Sequence, residues 1–172
     1  HEAVSLWNRF YDHLINNYQL NPKVVLEGMS RGGLFIYNWG TENTDKVACI
    51  YADAPVCDIR SWPGGKGKGT GSKEEWEAFL VAYNLTEETV NEFKGMPGYN
   101  WINLAKAGVP VLHVCGATDD AVPVDENTYV LEKNFREAGG SIKIILKEGI
   151  GHHPHSLNNP YPIVRFILSN TS

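Results

Sequence analysis

One stretch constrains the fold of this chain more than any other: Val-Val-Leu-Glu-Gly-Met-Ser-Arg-Gly-Gly at residues 24–33. It begins with an apolar run typical of a buried strand, and amphipathic helical spacing follows it directly. Between the two lies the pattern G-x-S-x-G, from Gly28 to Gly32. A sharp turn from strand to helix would project the Ser30 hydroxyl clear of its own backbone. We expect the two glycines to let the strand and the helix approach each other closely.

The chemistry of serine makes this placement informative. A serine hydroxyl is a weak nucleophile until a neighbouring base takes its proton. The pattern therefore predicts Ser30 as a nucleophile. The alternative is a serine that only caps the helix beginning at Arg31.

Two further apolar runs are followed by residues that could complete such a site. Residues 109–115 lead into Gly-Ala-Thr-Asp-Asp-Ala-Val-Pro, and residues 142–146 lead into Lys-Glu-Gly-Ile-Gly-His-His-Pro-His. The chain thus reads serine, acid and histidine, each after a strand. This order is expected of a serine hydrolase with a parallel sheet.

The remaining pattern predicts helices between parallel strands. A fourth apolar run, at residues 47–51, gives another buried strand. Apolar spacing, capping residues and glycine stops predict helices over 2–17, from 31, from an N-cap at Ser72 to about 83, from Thr86, over about 124–138 and from Pro160.

Together, the segments G-M-S-R-G-G, G-A-T-D-D-A-V-P and G-I-G-H-H-P-H resemble the C-terminal half of the α/β-hydrolase fold, over roughly residues 2–170. The resemblance implies a three-layer αβα architecture with a mostly parallel sheet. It implies a single catalytic domain over 1–172, with a lid or cap-like insertion at about 53–105. It also implies that the N-terminal strands of the fold are missing, and that an N-terminal segment or a partner chain completes it.

The resemblance assigns roles residue by residue. Ser30 is the nucleophile, and His152, directly after G-x-G, is the base. Asp119 fits G-x-x-D-x-x-V-P and orients the base, which leaves Asp120 as a solvated carboxylate. The backbone N–H of Arg31 is one oxyanion donor, and the second is expected from the earlier half of the fold.

Three side chains are candidates for substrate binding. The Arg31 guanidinium could bind a carboxylate or a sugar hydroxyl, or it could pair with an acid such as Asp53 or Asp58. Trp62 and Trp101 could wall a pocket or could serve only in packing.

We expect neither a metal nor a cofactor. His152, His153 and His155 are close enough in sequence to suggest a metal site, but no cysteine or carboxylate completes a recognised ligand spacing nearby. The glycines of residues 64–71 lack the flanking elements and the G-K-[ST] ending of a phosphate-binding loop. His113 lies within a strand and is interpreted as a packed core histidine.

Composition narrows the class of partner. A net charge of −5 and a pI near 5.7 argue against a nucleic-acid binder. The longest apolar run falls short of the roughly 18 residues that a membrane span needs. The polar start His1-Glu2 is not typical of a signal peptide, and the sequence selects no compartment. Three cysteines give no disulfide framework, and Cys49 and Cys115 fall in predicted buried strands.

The sequence thus predicts a serine hydrolase that cleaves a carboxylic ester of a small molecule or a carbohydrate. The arginine after the nucleophile resembles esterases of uronic-acid esters, which favours sugar-linked substrates. Two alternatives stay open: a serine peptidase similar to prolyl oligopeptidase, and a non-catalytic module of hydrolase descent.

Overall fold

A computed structural model describes residues 2–93 and 101–171. Helices and strands alternate along most of the chain. In chain order they are α1 (Glu2–Tyr18), β1 (Val24–Met29), α2 (Gly32–Glu42), β2 (Val47–Asp53), α3 (Lys73–Tyr83), α4 (Ile102–Lys106), β3 (Val111–Gly116), α5 (Thr128–Glu137), β4 (Ile142–Lys147) and α6 (Tyr161–Ser169), with short 3-10 turns at Thr44–Lys46 and Val90–Glu92.

The strands of the described residues form one 4-stranded sheet in the order β1-β2-β3-β4, and every neighbouring pair is parallel. Consecutive parallel strands need crossover connections, which the helices supply. All four strands therefore end at the same edge of the sheet. The predicted parallel sheet is confirmed. The predicted site residues follow the strands at its carboxyl edge.

The side chains of the sheet alternate between two apolar layers. Ile50 and Val111 face the larger cluster, which includes residues of α2, α4 and α5. Tyr51 and Leu112, the next residues along the two strands, face a smaller cluster built with α6. Since helices cover both faces of the sheet, the predicted three-layer αβα architecture is confirmed.

Two predicted helices differ in extent from the structure. The helix expected near residue 124 begins at Thr128, because Asn127 is held in a non-helical conformation by its side chain. Its amide oxygen accepts the N–H groups of Cys57 and Asp58, and its amide nitrogen donates to the Pro123 carbonyl. The helix expected from Thr86 is, within the described residues, only the 3-10 turn Val90–Glu92.

The predicted insertion at 53–105 carries a small apolar cluster of its own. Ile59, Trp76 and Val90 are buried together, and Leu34 of α2 packs against them. The insertion is thereby seated on the helix that follows Ser30. Residues 94–100 of the insertion lie outside the described residues. A lid or cap role for this segment stays a prediction.

Strand β1 pairs with β2 and with no other described strand, so the expectation of further strands beside it stays a prediction. All three cysteines are buried and free, and Cys49 and Cys115 lie in β2 and β3 as predicted. None of the described helices combines the length and the apolar character needed to cross a membrane.

Candidate active site

Ser30 occupies the turn between β1 and α2 in a conformation that few residues other than glycine adopt. Its φ is 50°, a left-handed backbone that costs on the order of 1–3 kcal/mol. Backbone hydrogen bonds hold it there: the Ser30 N–H donates to Asp53 O at 2.8 Å, and the Ser30 carbonyl accepts from the N–H groups of Gly33 and Val56. Strain held by its surroundings at a candidate nucleophile is typical of a functional turn.

Of the two predicted glycines, only Gly28 is needed for the close approach of strand and helix. A Cβ on Gly28 would lie 2.8 Å from the Gly32 carbonyl oxygen and 2.9 Å from a methyl carbon of Ile36. A Cβ on Gly32 would meet nothing within 4 Å, whereas one on Gly33 would lie 2.7 Å from Pro55. The prediction is therefore right for Gly28 and wrong for Gly32, whereas Gly33 lets α2 approach the segment that follows β2.

Three side chains that are far apart in sequence form one hydrogen-bonded chain. The Ser30 hydroxyl lies 2.9 Å from His152 Nε2, and His152 Nδ1 lies 2.7 Å from Asp119 Oδ2. Because a carboxylate only accepts, His152 donates from Nδ1 and presents the lone pair of Nε2 to the serine. The predicted convergence of these residues is confirmed. Their roles in a reaction belong to the proposal below.

Hydrogen bonds within its own loop hold the Asp119 carboxylate in place. The side chain of Asp119 is fully buried, and its Oδ1 accepts the N–H groups of Ala121 and Val122 at 3.0 and 2.8 Å. This leaves Oδ2 for His152. Asp120 is exposed. The geometry thus matches the sequence prediction that Asp119, rather than its neighbour, contacts the histidine.

The loops that carry Asp119 and His152 pack closely against each other. The Thr118 N–H donates to the Ile150 carbonyl at 3.0 Å. At Gly116, the last residue of β3, a Cβ would lie only 2.0 Å from the carbonyl oxygen of Gly151. The backbone of the histidine loop thus rests directly on the end of β3, which places His152 beside the acid.

The Arg31 backbone N–H has no hydrogen-bond acceptor among the described residues. It follows Ser30 directly, where a donor for a developing oxyanion would have to lie. The predicted oxyanion role fits this placement. The source of a second donor stays a prediction.

The Arg31 side chain pairs with an acid that the sequence analysis did not consider. Its guanidinium lies 2.8 Å from Glu75 of α3 and 5.9 Å from the centre of the Trp62 ring. The predicted partners are both occupied elsewhere, since Asp53 binds His155 and Asp58 binds Arg60. The pairing with Asp53 or Asp58 was therefore wrong.

An open pocket surrounds Ser30, and only one of the two candidate tryptophans lines it. Trp62 lines this pocket together with Arg31 and Glu75. Trp101 lies in the core instead, 4% exposed and packed against Phe135, and borders a separate cavity. Trp101 therefore does not line the pocket at Ser30, because it leads into α4, which packs in the larger apolar cluster. A substrate role for Trp101 stays a prediction.

A second carboxylate–histidine pair lies beside the first, and the sequence analysis missed it. The buried carboxylate of Asp53 accepts from His155 Nδ1 at 2.8 Å, from the Ser156 N–H at 2.7 Å and from the Tyr51 hydroxyl at 2.7 Å. Burial and the bond to Asp53 raise the pKa of Tyr51. The position of Asp53 could have indicated this pair, because Asp53 is the last residue of β2 and lies at the same sheet edge as Ser30 and Asp119.

His113 is the core residue that the sequence predicted. It is fully buried between the Tyr37 hydroxyl, 2.6 Å from Nε2, and the Thr128 hydroxyl, 3.0 Å from Nδ1. Burial lowers the pKa of His113 to about 3, although the charge of Asp53 opposes that shift. His113 is therefore neutral at physiological pH and belongs to the packing of β3.

The parallel three-layer fold and the serine turn at its carboxyl edge define the chain as an α/β-hydrolase. Residues 9–168 match the model of the prolyl oligopeptidase family, so the chain belongs to this family. A comparison with curated proteins finds no match.

Several solved structures share the fold. Dipeptidyl peptidase 4 of Porphyromonas gingivalis is similar at a TM-score of 0.72 and 17% identity, over 98% of this chain and 22% of that one. The acylaminoacyl peptidase of Pyrococcus horikoshii gives 0.68 and 15%, over 97% and 27%. Acetyl xylan esterase 1 of a Thermoanaerobacterium species gives 0.66 and 18%, over 95% and 51%. The chain thus spans about a quarter of these peptidases and half of this esterase, and at these identities the likeness shows the fold alone.

Proposed function

We propose that the protein hydrolyses acyl compounds through a covalent intermediate on Ser30. The observation that carries this proposal is the hydrogen-bonded chain from Asp119 through His152 to a serine with positive φ. A structural role requires none of the three groups in this arrangement. This argues against a non-catalytic module.

Each group has one step in the proposed reaction. His152 Nε2 takes the Ser30 proton as the hydroxyl oxygen attacks the carbonyl carbon, and Asp119 stabilises the resulting imidazolium. The Arg31 N–H donates to the oxyanion. His152 then returns the proton to the leaving group as the bond to that group breaks. Water, activated by the same base, releases the acyl group and restores Ser30.

We propose a carboxylic ester as the substrate, from a small molecule or a carbohydrate. The pocket at Ser30 is open and polar, with the Arg31–Glu75 ion pair at its wall. Both side chains are well exposed, so the ion pair between them could open and each side chain could bind a hydroxyl-rich or charged ligand instead. An acetyl xylan esterase shares the fold over 51% of its own length, which supports an ester.

A peptide bond is the second candidate. It is favoured by the match to the prolyl oligopeptidase family over residues 9–168. The proton transfer needed by an amine leaving group uses the same His152 Nε2, so the triad geometry serves either reaction.

A matched pair of chromogenic substrates separates the two candidates. One acyl group is presented as a p-nitrophenyl ester and as a p-nitroanilide, and each rate is divided by its uncatalysed rate. Preference for the ester supports the esterase, and preference for the anilide supports the peptidase. Ser30→Ala should abolish turnover of both while the fold is retained, since Ser30 is only half-buried and the loss of one hydroxyl leaves little cavity. Turnover that persists in Ser30→Ala contradicts the proposed nucleophile.

A further inference from the structure

Three imidazole rings meet beside Ser30. The ring centres of His152, His153 and His155 lie 4.7–5.1 Å apart in edge-to-face contacts. One ligand atom from each ring lies within 4.8 Å of the other two. The sequence favoured no metal here because no carboxylate follows at a ligand spacing. Folding supplies carboxylates from distant parts of the chain.

Two of the three rings are held by buried carboxylates in the tautomer that binds metals. Asp119 accepts from Nδ1 of His152 at 2.7 Å, and Asp53 accepts from Nδ1 of His155 at 2.8 Å. Both carboxylates have fully buried side chains. An Nδ1–H donated to a carboxylate leaves the lone pair on Nε2 and fixes the ring, as in most histidines that ligate a metal.

Each carboxylate already accepts three hydrogen bonds, so both act as outer partners rather than ligands. Asp53 also accepts from Tyr51 and Ser156. His153, in contrast, is exposed, and its ring can turn at little cost. Zn–N bonds of about 2.0–2.1 Å place tetrahedral ligands roughly 3.3–3.4 Å apart, and one ligand atom from each ring already lies within 4.8 Å of the other two.

We propose that His152, His153 and His155 bind one divalent transition-metal ion of the zinc type, and that the ion inhibits the enzyme. Imidazole nitrogen suits zinc, copper and nickel. Three histidines leave one position of a tetrahedral zinc ion for water. The Nε2 lone pair of His152 faces Ser30 Oγ at 2.9 Å and cannot bind a metal and accept the serine proton together. The binding stands on geometry alone, whereas the inhibition rests on the proposed function.

Calorimetric titration of the metal-free protein with ZnCl₂ measures binding without any need for activity. We expect one zinc ion per chain, and at least a tenfold loss of affinity in His153→Ala and in His155→Gln. His13→Ala, which removes an exposed histidine of α1, is the matched control and should bind like the parent. The absence of binding, or unchanged affinity in both cluster variants, overturns the proposal.

Hydrolysis of the chromogenic ester tests the consequence. His153→Ala, measured relative to its own rate without metal, should need at least tenfold more zinc than the parent for half-inhibition. Zinc binding in a protein that hydrolyses nothing would refute the proposed function and leave the metal site standing. Hydrolysis that is indifferent to saturating zinc would refute the inhibitory site and leave the function standing.

Discussion

Two carboxylate–histidine pairs at one sheet edge have nearly the same bond, yet within the described residues only one of them has its second ring nitrogen against a serine hydroxyl. The His152–Asp119 contact is 2.7 Å and the His155–Asp53 contact is 2.8 Å, and both aspartate side chains are fully buried. The other nitrogen of His152 faces Ser30, whereas no hydrogen bond links His155 to a described nucleophile. A hydrogen bond to aspartate therefore fixes the orientation of a histidine ring in both pairs. The chemistry of each pair depends on which group the other ring nitrogen of the histidine faces.

The two aspartates also differ in what else they hold. Among the described residues, the carboxylate of Asp119 binds only its own loop besides the histidine. Asp53 joins the serine turn, through its carbonyl, to the histidine loop, through its carboxylate. We infer that Asp119 matters mainly for the reaction and that Asp53 matters mainly for stability.

Removing the charge of the first aspartate should give the largest effect. Asp119→Asn favours the wrong tautomer of His152, so kcat should fall by about 10⁴-fold. Asp120→Asn changes an exposed neighbour and should remain close to the parent. Steady-state kinetics on the chromogenic ester measure both. The reverse order would move the acid role to Asp120.

The same change in the second pair should act on folding. Asp53→Asn replaces one carboxylate oxygen with an amide N–H₂, which then opposes at least one of the three donors to Asp53. The free energy of unfolding should therefore fall by about 2–4 kcal/mol. Urea denaturation measures this loss, and kcat of the folded protein should change by about tenfold at most. Tyr51→Phe, which removes only one donor to Asp53, is the milder control. A loss of kcat equal to that of Asp119→Asn, without loss of stability, would abolish the contrast between the pairs.

His113 is buried without a carboxylate contact, in contrast to His152 and His155. Its effect on stability should therefore depend on pH. Its pKa is about 3 in the folded protein, below the roughly 6.5 of an unfolded histidine. The unfolded state thus binds the extra proton between these values. The contribution to stability is complete above pH 6.5 and declines as the pH falls toward 3, by about 2 kcal/mol at pH 5.

The measurement compares unfolding free energies at pH 7 and pH 5. His113→Gln should lose about 2 kcal/mol less than the parent over this interval, because glutamine does not titrate. Equal pH dependence in His113→Gln and the parent would contradict the low pKa.

The sheet could be predicted from its apolar runs. The first Asp–His pair and its serine could be predicted because each of the three residues follows one of these runs. Ser30, Asp119 and His152 are local continuations of strands, and parallel strands share one carboxyl edge. The pairs Arg31–Glu75 and Asp53–His155 join separate elements, and local periodicity carries no information about such contacts. Trp101 was misplaced for the same reason, since its position depends on where α4 packs.

The central claim is that Ser30 is the nucleophile, and covalent labelling tests it most directly. The protein is treated with a fluorophosphonate probe, digested, and mapped by mass spectrometry. A single phosphonyl adduct is expected on Ser30, with none in Ser30→Ala and parent-like labelling in Asp120→Asn. An adduct on another residue, or equal labelling of Ser30→Ala, would contradict the account.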